Sequence, residues 1–144
     1  MNAKEMWKFY KENENEDNYE AWSYGVDADL LADLTLKRIK TATASAYTLY
    51  LYENEPLPKT GSYNIILDSN DNAVCITQTT KVYVVPFNKV TKRHAFKEGE
   101  GNRTLTYWRE VHKTFFEKEL DKIAEEFNEN MNVVCEEFEV VYPK

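Results

Sequence analysis

Residues 73–85, AVCITQTTKVYVV, are the longest run of strand-forming side chains, and they constrain the fold more than any other segment. Val, Ile, Thr and Tyr dominate the run. Such side chains lose rotamer freedom in a helix and pack well on a pleated surface. The run is much longer than an ordinary strand of about five or six residues, so it is expected to bend or split near Thr79 and Thr80. It also needs partners. Residues 46–52 (AYTLYLY), 63–68 (YNIILD) and 132–142 (NVVCEEFEVVY) supply them, with a loop at Pro56, Pro58 and Gly61 and a turn cluster at Ser69-Asn70-Asp71-Asn72.

Helical periodicity lies before, within and after these strands. Residues 4–12 place Met6, Trp7, Phe9 and Tyr10 on one apolar side, and residues 12–18 (ENENEDN) break the pattern with acid. A second helix runs from about Asp27 to Ile39, with Leu30, Leu31 and Leu34 inward, Asp27 as N-cap and Lys37, Arg38 and Lys40 at its C-terminal end. His94 to Glu98 reads as a short helix. Residues 104–128 read as the longest, through Leu105, Trp108, Val111, Phe115, Leu120, Ile123 and Phe127. Strands and helices do not alternate, so a doubly wound parallel sheet is not expected. The fold class is α+β: a small curved sheet or β-barrel with flanking helices. Without repeats or linkers, residues 1–144 are expected to form one domain, with a helical extension at about 1–20.

With 42% hydrophobic and 14% aromatic residues among 144, the chain has material for a core, which excludes wholesale disorder. The net charge of −7 is unevenly spread. Residues 1–20 carry −3 and residues 104–144 carry −5, whereas 21–103 carry +1. That balance disfavours a long duplex nucleic acid but leaves a nucleoside, nucleotide or short single strand of RNA compatible. No run is long and apolar enough for a membrane span, and the N-terminus has no secretory h-region. Cys75 and Cys135 lie in strand-like runs and are expected to be buried free thiols, which suits a cytoplasmic protein. No cysteine pair or histidine spacing supports a metal, and no nucleotide-cofactor or serine-hydrolase motif occurs, so no metal and no cofactor is expected.

Three groups of residues carry chemistry. In Lys37-Arg38-Ile39-Lys40-Thr41-Ala42-Thr43-Ala44-Ser45, three bases precede hydroxyls at alternating positions. Extended alternation puts Thr41, Thr43 and Ser45 on one side, and Lys40 close to Thr43. A lysine of lowered pKa can deprotonate a hydroxyl for attack on a carbonyl. The same residues also read as a basic helix end followed by an edge strand. In His94-Ala95-Phe96-Lys97-Glu98-Gly99-Glu100-Gly101-Asn102, two glycines let the backbone approach a ligand, and Glu98 or Glu100 can carry a proton. A solvated acidic loop is the alternative. Trp22, Tyr24, Tyr47, Tyr107 and Trp108 lie outside clear core periods and can stack on a base, or complete the core.

These segments, with Ala21-Trp22-Ser23-Tyr24-Gly25 and Tyr107-Trp108-Arg109, resemble the ASCH domain family of the PUA-like superfamily, in its Firmicutes-type bacterial branch, from about residue 20 to 142. The resemblance implies a PUA-like barrel whose cleft is lined by the K-x-x-T segment. Family members include proposed RNA-binding modules, reported ribonucleases, and amidohydrolases that deacetylate N4-acetylcytidine. The amidohydrolase motif G-x-K-x-x-T followed by H-A-x-x-E would make Thr43 the nucleophile, Lys40 its activator and Glu98 a proton carrier or substrate orienter. Trp22, Tyr24, Arg38, Ser45, Tyr47 and Glu100 would then line the substrate site. Arg38 stands where the motif has glycine, and Ser45 stands where those enzymes have arginine. Three functions follow as expectations: hydrolysis of an amide on a modified nucleoside; a non-catalytic module binding a nucleotide or short RNA, with roles in RNA processing or translation; and a protein-interaction domain. No feature fixes an oligomeric state, although the 104–128 helix offers a surface for a dimer.

Overall fold

The computed structural model describes residues 1–12 and 17–144; four residues of the acidic break, 13–16, lie outside the described residues. In chain order the elements are α1 (Ala3–Tyr10), β1 (Tyr19–Trp22), α2 (Ala28–Leu36), β2 (Ala42–Ala46), α3 (Tyr47–Glu53), β3 (Tyr63–Leu67), β4 (Ala73–Pro86), α4 (Lys92–Glu98), α5 (Leu105–Asp121) and β5 (Asn132–Tyr142). The strands form one sheet in the order β1-β3-β4-β5-β2. β1 runs parallel to β3, and every other pair is antiparallel. β4 bends where expected, through an irregularity between Thr79 and Lys81. The fold is α+β, as its element pattern predicts.

Alternation divides the sheet into two faces. On one, Ala46, Val133 and Cys135 meet Trp108, Phe116 and Leu120 of α5 and Ala95 of α4. Farther along β3 and β4, Ile65 and Ile76 bury Met6 and Trp7 of α1, so the N-terminal helix packs directly on the sheet. On the other face, α2 covers Ile66 and Cys75 with Leu31, Ala32 and the Tyr24 ring. Register places Glu20, Asn64, Thr79, Glu136, Thr43 and Ser45 on this second face as well, beyond the cover of α2. The sheet curls about it. Glu20, on the edge strand β1, raises the pKa of both Glu136 and Tyr50 near the opposite edge.

The expected barrel is corrected to an open curled sheet. β1 pairs only with β3 and β2 only with β5, so both remain edges. The expected strand at 46–52 is also corrected, because residues 47–53 are α3. Ala46 pairs with Val133, and β5 begins one residue earlier at Asn132. Beyond Ala46 no partner backbone remains, and the chain satisfies its own amides by coiling. The extended edge reading therefore belongs to Ala42–Ala46.

Smaller differences have local causes. Asp27 is in the left-handed region (φ 46) and makes no side-chain cap. Phe9 is 61% exposed because α1 is only two turns long and buries one narrow stripe. α5 ends at Asp121, seven residues before the expected stop, with Ala124 at positive φ. Cys75 and Cys135 are free and buried, and burial pushes both thiols up to about 12.

Trp7 is 1% exposed and packs on Tyr19 and Tyr63. Trp7→Ala is expected to lower the unfolding free energy in urea by about 3–5 kcal/mol. A loss below about 1 kcal/mol would mean that α1 is an appendage rather than part of the core.

Candidate functional site

Two helix ends bring Lys40 to Glu98. α2 stops in a Schellman turn, in which Ile39 N–H donates to Leu34 O (3.0 Å) and Arg38 N–H to Thr35 O (3.0 Å). Arg38 holds the left-handed position of that turn at φ 64, where glycine is favoured, at a cost of about 1–2 kcal/mol. The glycine of the amidohydrolase motif thus corresponds to a helix stop. The exposed Arg38 guanidinium donates to Leu36 O (3.1 Å) and Pro143 O (2.8 Å), bracing the turn against the end of β5. α4 stops at Gly99 (φ 71), and a Cβ there would stand 2.4 Å from Ile39 O. Gly99 is therefore required by the approach of one helix end to the other, and Gly101 is crowded by the Tyr107 ring in the same way. Thr41 closes the join: its N–H and hydroxyl both donate to Lys97 O, at 2.7 and 3.2 Å. That contact takes Thr41 out of the expected row of hydroxyls.

Lys40 is driven inward by this closure and is 1% exposed. Its ammonium donates to Ala42 O (2.8 Å), Glu98 Oε1 (3.2 Å) and Glu100 Oε2 (2.8 Å), and it lies 5.3 Å from the centre of the Tyr24 ring. Glu98, also 1% exposed, collects partners from three elements. His94 Nε2–H donates to Oε2 at 2.7 Å, and the Trp108 indole N–H donates to the same oxygen. His112 Nε2 lies 3.3 Å from Oε1, while its Nδ1–H donates to Trp108 O (2.9 Å) and its ring stacks on the indole at 4.1 Å. The Tyr83 hydroxyl completes the set, hydrogen-bonded to His94 Nδ1 at 3.4 Å.

Burial opposes charge on these groups, but the pairing outweighs it. Desolvation pushes Glu98 up, yet His112 and Lys40 hold it well below the usual carboxylate range. Desolvation pushes Lys40 down, yet Glu98, Tyr24 and Glu100 hold it above its ordinary value. His112 is likewise raised by Glu98 against its own desolvation. Lys40 is thus an ammonium, the reverse of the lowered pKa expected of an activating base. No hydrogen bond joins it to Thr43 among the described residues. Glu98, Glu100 and His112 place ligand-type atoms within 4.8 Å of one another, but the Lys40 ammonium already bridges the two carboxylates and supplies their positive charge.

A second polar group crosses the concave face. The Trp22 indole N–H donates to Asn64 Oδ1 (2.9 Å), Asn64 Nδ2 to Thr79 Oγ1 (3.5 Å), and the Thr79 hydroxyl to Glu136 Oε2 (2.6 Å). Thr43 is the register partner of Glu136, and the Ser45 hydroxyl pairs with Tyr50 OH at 2.8 Å. The structure therefore divides the sequence candidates. Lys40, Glu98 and Glu100 meet in the buried ion cluster; Trp22, Thr43 and Ser45 lie on the concave face. Tyr24 stands between them, its hydroxyl at 2.9 Å from Thr35 Oγ1 and its pKa pushed up to about 12 by burial. Tyr47 is half-buried at the first turn of α3 and joins neither group.

Sequence reasoning missed His112, Asn64, Thr79 and Glu136. Glu136 had a readable signal, since it interrupts the apolar alternation Val134, Phe138, Val140 of β5. Two surface hollows lie elsewhere. One of about 490 Å³ is rimmed by Glu117, Asp121, Glu125 and Glu129, which repel anions. The other, about 470 Å³ between Gly25-Val26 and Val111-Phe115, contains none of the candidate residues. The chemistry identifies the site better than the depth of a hollow does. No helix among the described residues is long and apolar enough to cross a membrane.

The model of the ASCH domain family matches residues 20–142. Among solved structures, the ASCH domain from Lactobacillus crispatus JV V101 is 29% identical, with a TM-score of 0.90 over 96% of this chain and 93% of that one. Protein EF3133 from Enterococcus faecalis V583 is 37% identical, with a TM-score of 0.88 over 96% of this chain and 86% of that one. Hypothetical protein PH0355, at 15% identity and a TM-score of 0.56 over 84% of this chain and 99% of that one, shares the fold alone. No curated protein matches the chain.

Glu98→Gln leaves His112 buried without its anion and Lys40 with Glu100 alone, and is expected to cost about 3–5 kcal/mol. The loss depends on pH in a definite sense. Glu98 is depressed, so its contribution is complete above the ordinary 4.5 and fades as pH falls through its folded value. His112 is raised, so its contribution is complete below the ordinary 6.5 and fades as pH rises through its folded value. Urea unfolding of wild type and Glu98→Gln should therefore differ most between pH 4.5 and 6.5. A pH-independent difference would contradict the cluster.

Proposed function

The chain belongs to the ASCH domain family, and from that premise we propose that it binds a nucleoside, a nucleotide or a short single strand of RNA on the concave face of its sheet. ASCH domains have a PUA-like fold suggested to bind RNA. The observation that carries the reading is the row of side chains contributed by all five strands, Trp22, Asn64, Thr79, Glu136, Thr43 and Ser45, on one curved surface between two open edges. A half-buried indole held by Asn64 and braced edge-on by Tyr24 at 5.0 Å is a preset stacking platform. The neighbouring amide and hydroxyls suit the edge of a base.

Binding fits this geometry better than turnover by Lys40 and Thr43. An ammonium held by two carboxylates has no lone pair with which to take the Thr43 proton. Lys40 therefore acts in this reading as the pin that joins the two helix ends, and its charge is internal to the protein. The motif positions Lys40 and Glu98 thus meet in this chain, but as structure.

Wild type should bind cytidine, cytidine monophosphate and a short single-stranded RNA saturably in calorimetric titration. Trp22→Ala, with its fold checked by circular dichroism, should weaken each by about tenfold or more. Failure of wild type to bind any of the three would overturn the reading. Incubation with N4-acetylcytidine should release no cytidine; release abolished by Thr43→Ala would establish the hydrolase instead.

A further inference from the structure

Glu136 is buried, 8% exposed, and has no cationic partner among the described residues. The other buried carboxylate among the described residues, Glu98, is paired with Lys40 and His112. The hydrogen bonds around Glu136 run in one direction. Donation passes from Trp22 to Asn64, from Asn64 to Thr79, and from the Thr79 hydroxyl to Glu136 Oε2. Oε2 is thereby fixed as an acceptor. Oε1 takes no hydrogen bond from any described residue, nor does the hydroxyl of Thr43 on the facing residue of β2. Directly opposed residues on one face stand about 4.5–5.5 Å apart at Cβ, so the two groups work within one ligand's reach.

The groups facing this carboxyl set the charge it tolerates. They are Glu20 from β1, Thr79 and Val82 from β4, Thr43 from β2 and Tyr50 from α3, the last already paired with Ser45. None is a cation, and Glu20 adds a like charge. A phosphate placed here would meet two acids and no base, so the phosphate side of a ligand must point away from it.

Resting on the binding reading above, we propose that Glu136 and Thr43 form its base-reading subsite, in which Oε1 and the Thr43 hydroxyl hydrogen-bond a nucleobase edge that sets a ring nitrogen beside an exocyclic amine. On the Watson–Crick edge cytosine and adenine carry that pattern, whereas uracil and guanine set a ring N–H beside a carbonyl. Because Thr79 donates to Oε2, a protonated Glu136 keeps its hydrogen on Oε1 and offers it to the bare ring nitrogen, while Thr43 Oγ1 accepts from the amine. Desolvation raises Glu136 from its ordinary value, against the opposing hydrogen bond from Thr79, and Glu20 pushes the same way. The dry, acidic surroundings thus favour the protonated form over the ionised one.

The test is calorimetric titration of the full chain with cytidine and uridine between pH 5 and 8. Wild type should favour cytidine by about tenfold or more at the low end, the preference shrinking as pH rises and Glu136 ionises. Glu136→Gln should keep cytidine binding and lose the pH dependence, since its carbonyl still accepts from Thr79 and its amide N–H replaces the acid hydrogen. Glu136→Leu and Thr43→Val, which fill the same space without the polar atoms, should each lose the preference. Wild type that binds cytidine while Glu136→Leu and Thr43→Val bind it equally well overturns this subsite alone. Equal affinity for cytidine and uridine at every pH also overturns the subsite. Wild type that binds no nucleoside, nucleotide or short RNA overturns the binding reading and this assignment together.

Discussion

The ion pair between Lys40 and Glu98 is the contact on which the rest of the structure depends. A carboxylate taken out of water loses several kcal/mol of hydration, and only multiple charge-assisted partners restore it. Here those partners come from three places: Lys40 after α2, His94 one turn back on α4, and Trp108 with His112 on α5. Burying Glu98 therefore requires all three to arrive together. The Schellman turn at Arg38, the bare Gly99 and the double donation of Thr41 to Lys97 O each serve that meeting. Through Tyr83 and Ala42 O the cluster also reaches β4 and β2, so sheet and helices share one electrostatic anchor.

The spacing Lys40-x-x-Thr43 straddles a change of backbone. Lys40 belongs to the turn and points across to α4. Thr43 is the second residue of β2, where alternation presents it to the opposite face of the sheet beside Glu136. One short motif consequently feeds two environments, a sealed charged cluster and an open polar surface, with the Tyr24 ring between them. Paired charge is confined to the first, and the second carries neutral hydrogen-bonding groups beside the two acids Glu20 and Glu136. This separation keeps the lysine's charge away from the polar face of the sheet.

Much of this was legible in the residues, where the signal was local. The strand-forming run at 73–85, the apolar spacing of α2 and α5 and the turn residues around Asn70 each carry their own evidence, and the α+β class follows from their order. The importance of Lys40, Glu98 and Thr43 came from motif order. The strand expected at 46–52 failed because its Tyr and Leu residues satisfy either period, and only the length of β5 decides between them. β1 is four residues long, too short for alternation to register, and its parallel pairing with β3 is a tertiary outcome. Arg38 concealed a helix stop because the left-handed conformation is ordinarily marked by glycine or asparagine. The role of Glu136 depends on hydrogen bonds across four strands, which no local pattern encodes.

The sheet order has a consequence for timing. β2 has a single strand neighbour, β5, which lies some ninety residues later in the chain. α2 and β3 with β4 can assemble from nearby contacts, but the Thr43 strand has nothing to pair with until residues 132–142 arrive. Contacts of such high sequence separation close late, because loop entropy is lost before they form. During synthesis the nascent chain therefore carries α2 and its basic turn for most of its length before the concave face is complete. The unpaired interval also leaves Ala42–Ala46 as free backbone, the stretch most open to a chaperone or to a wrong strand partner.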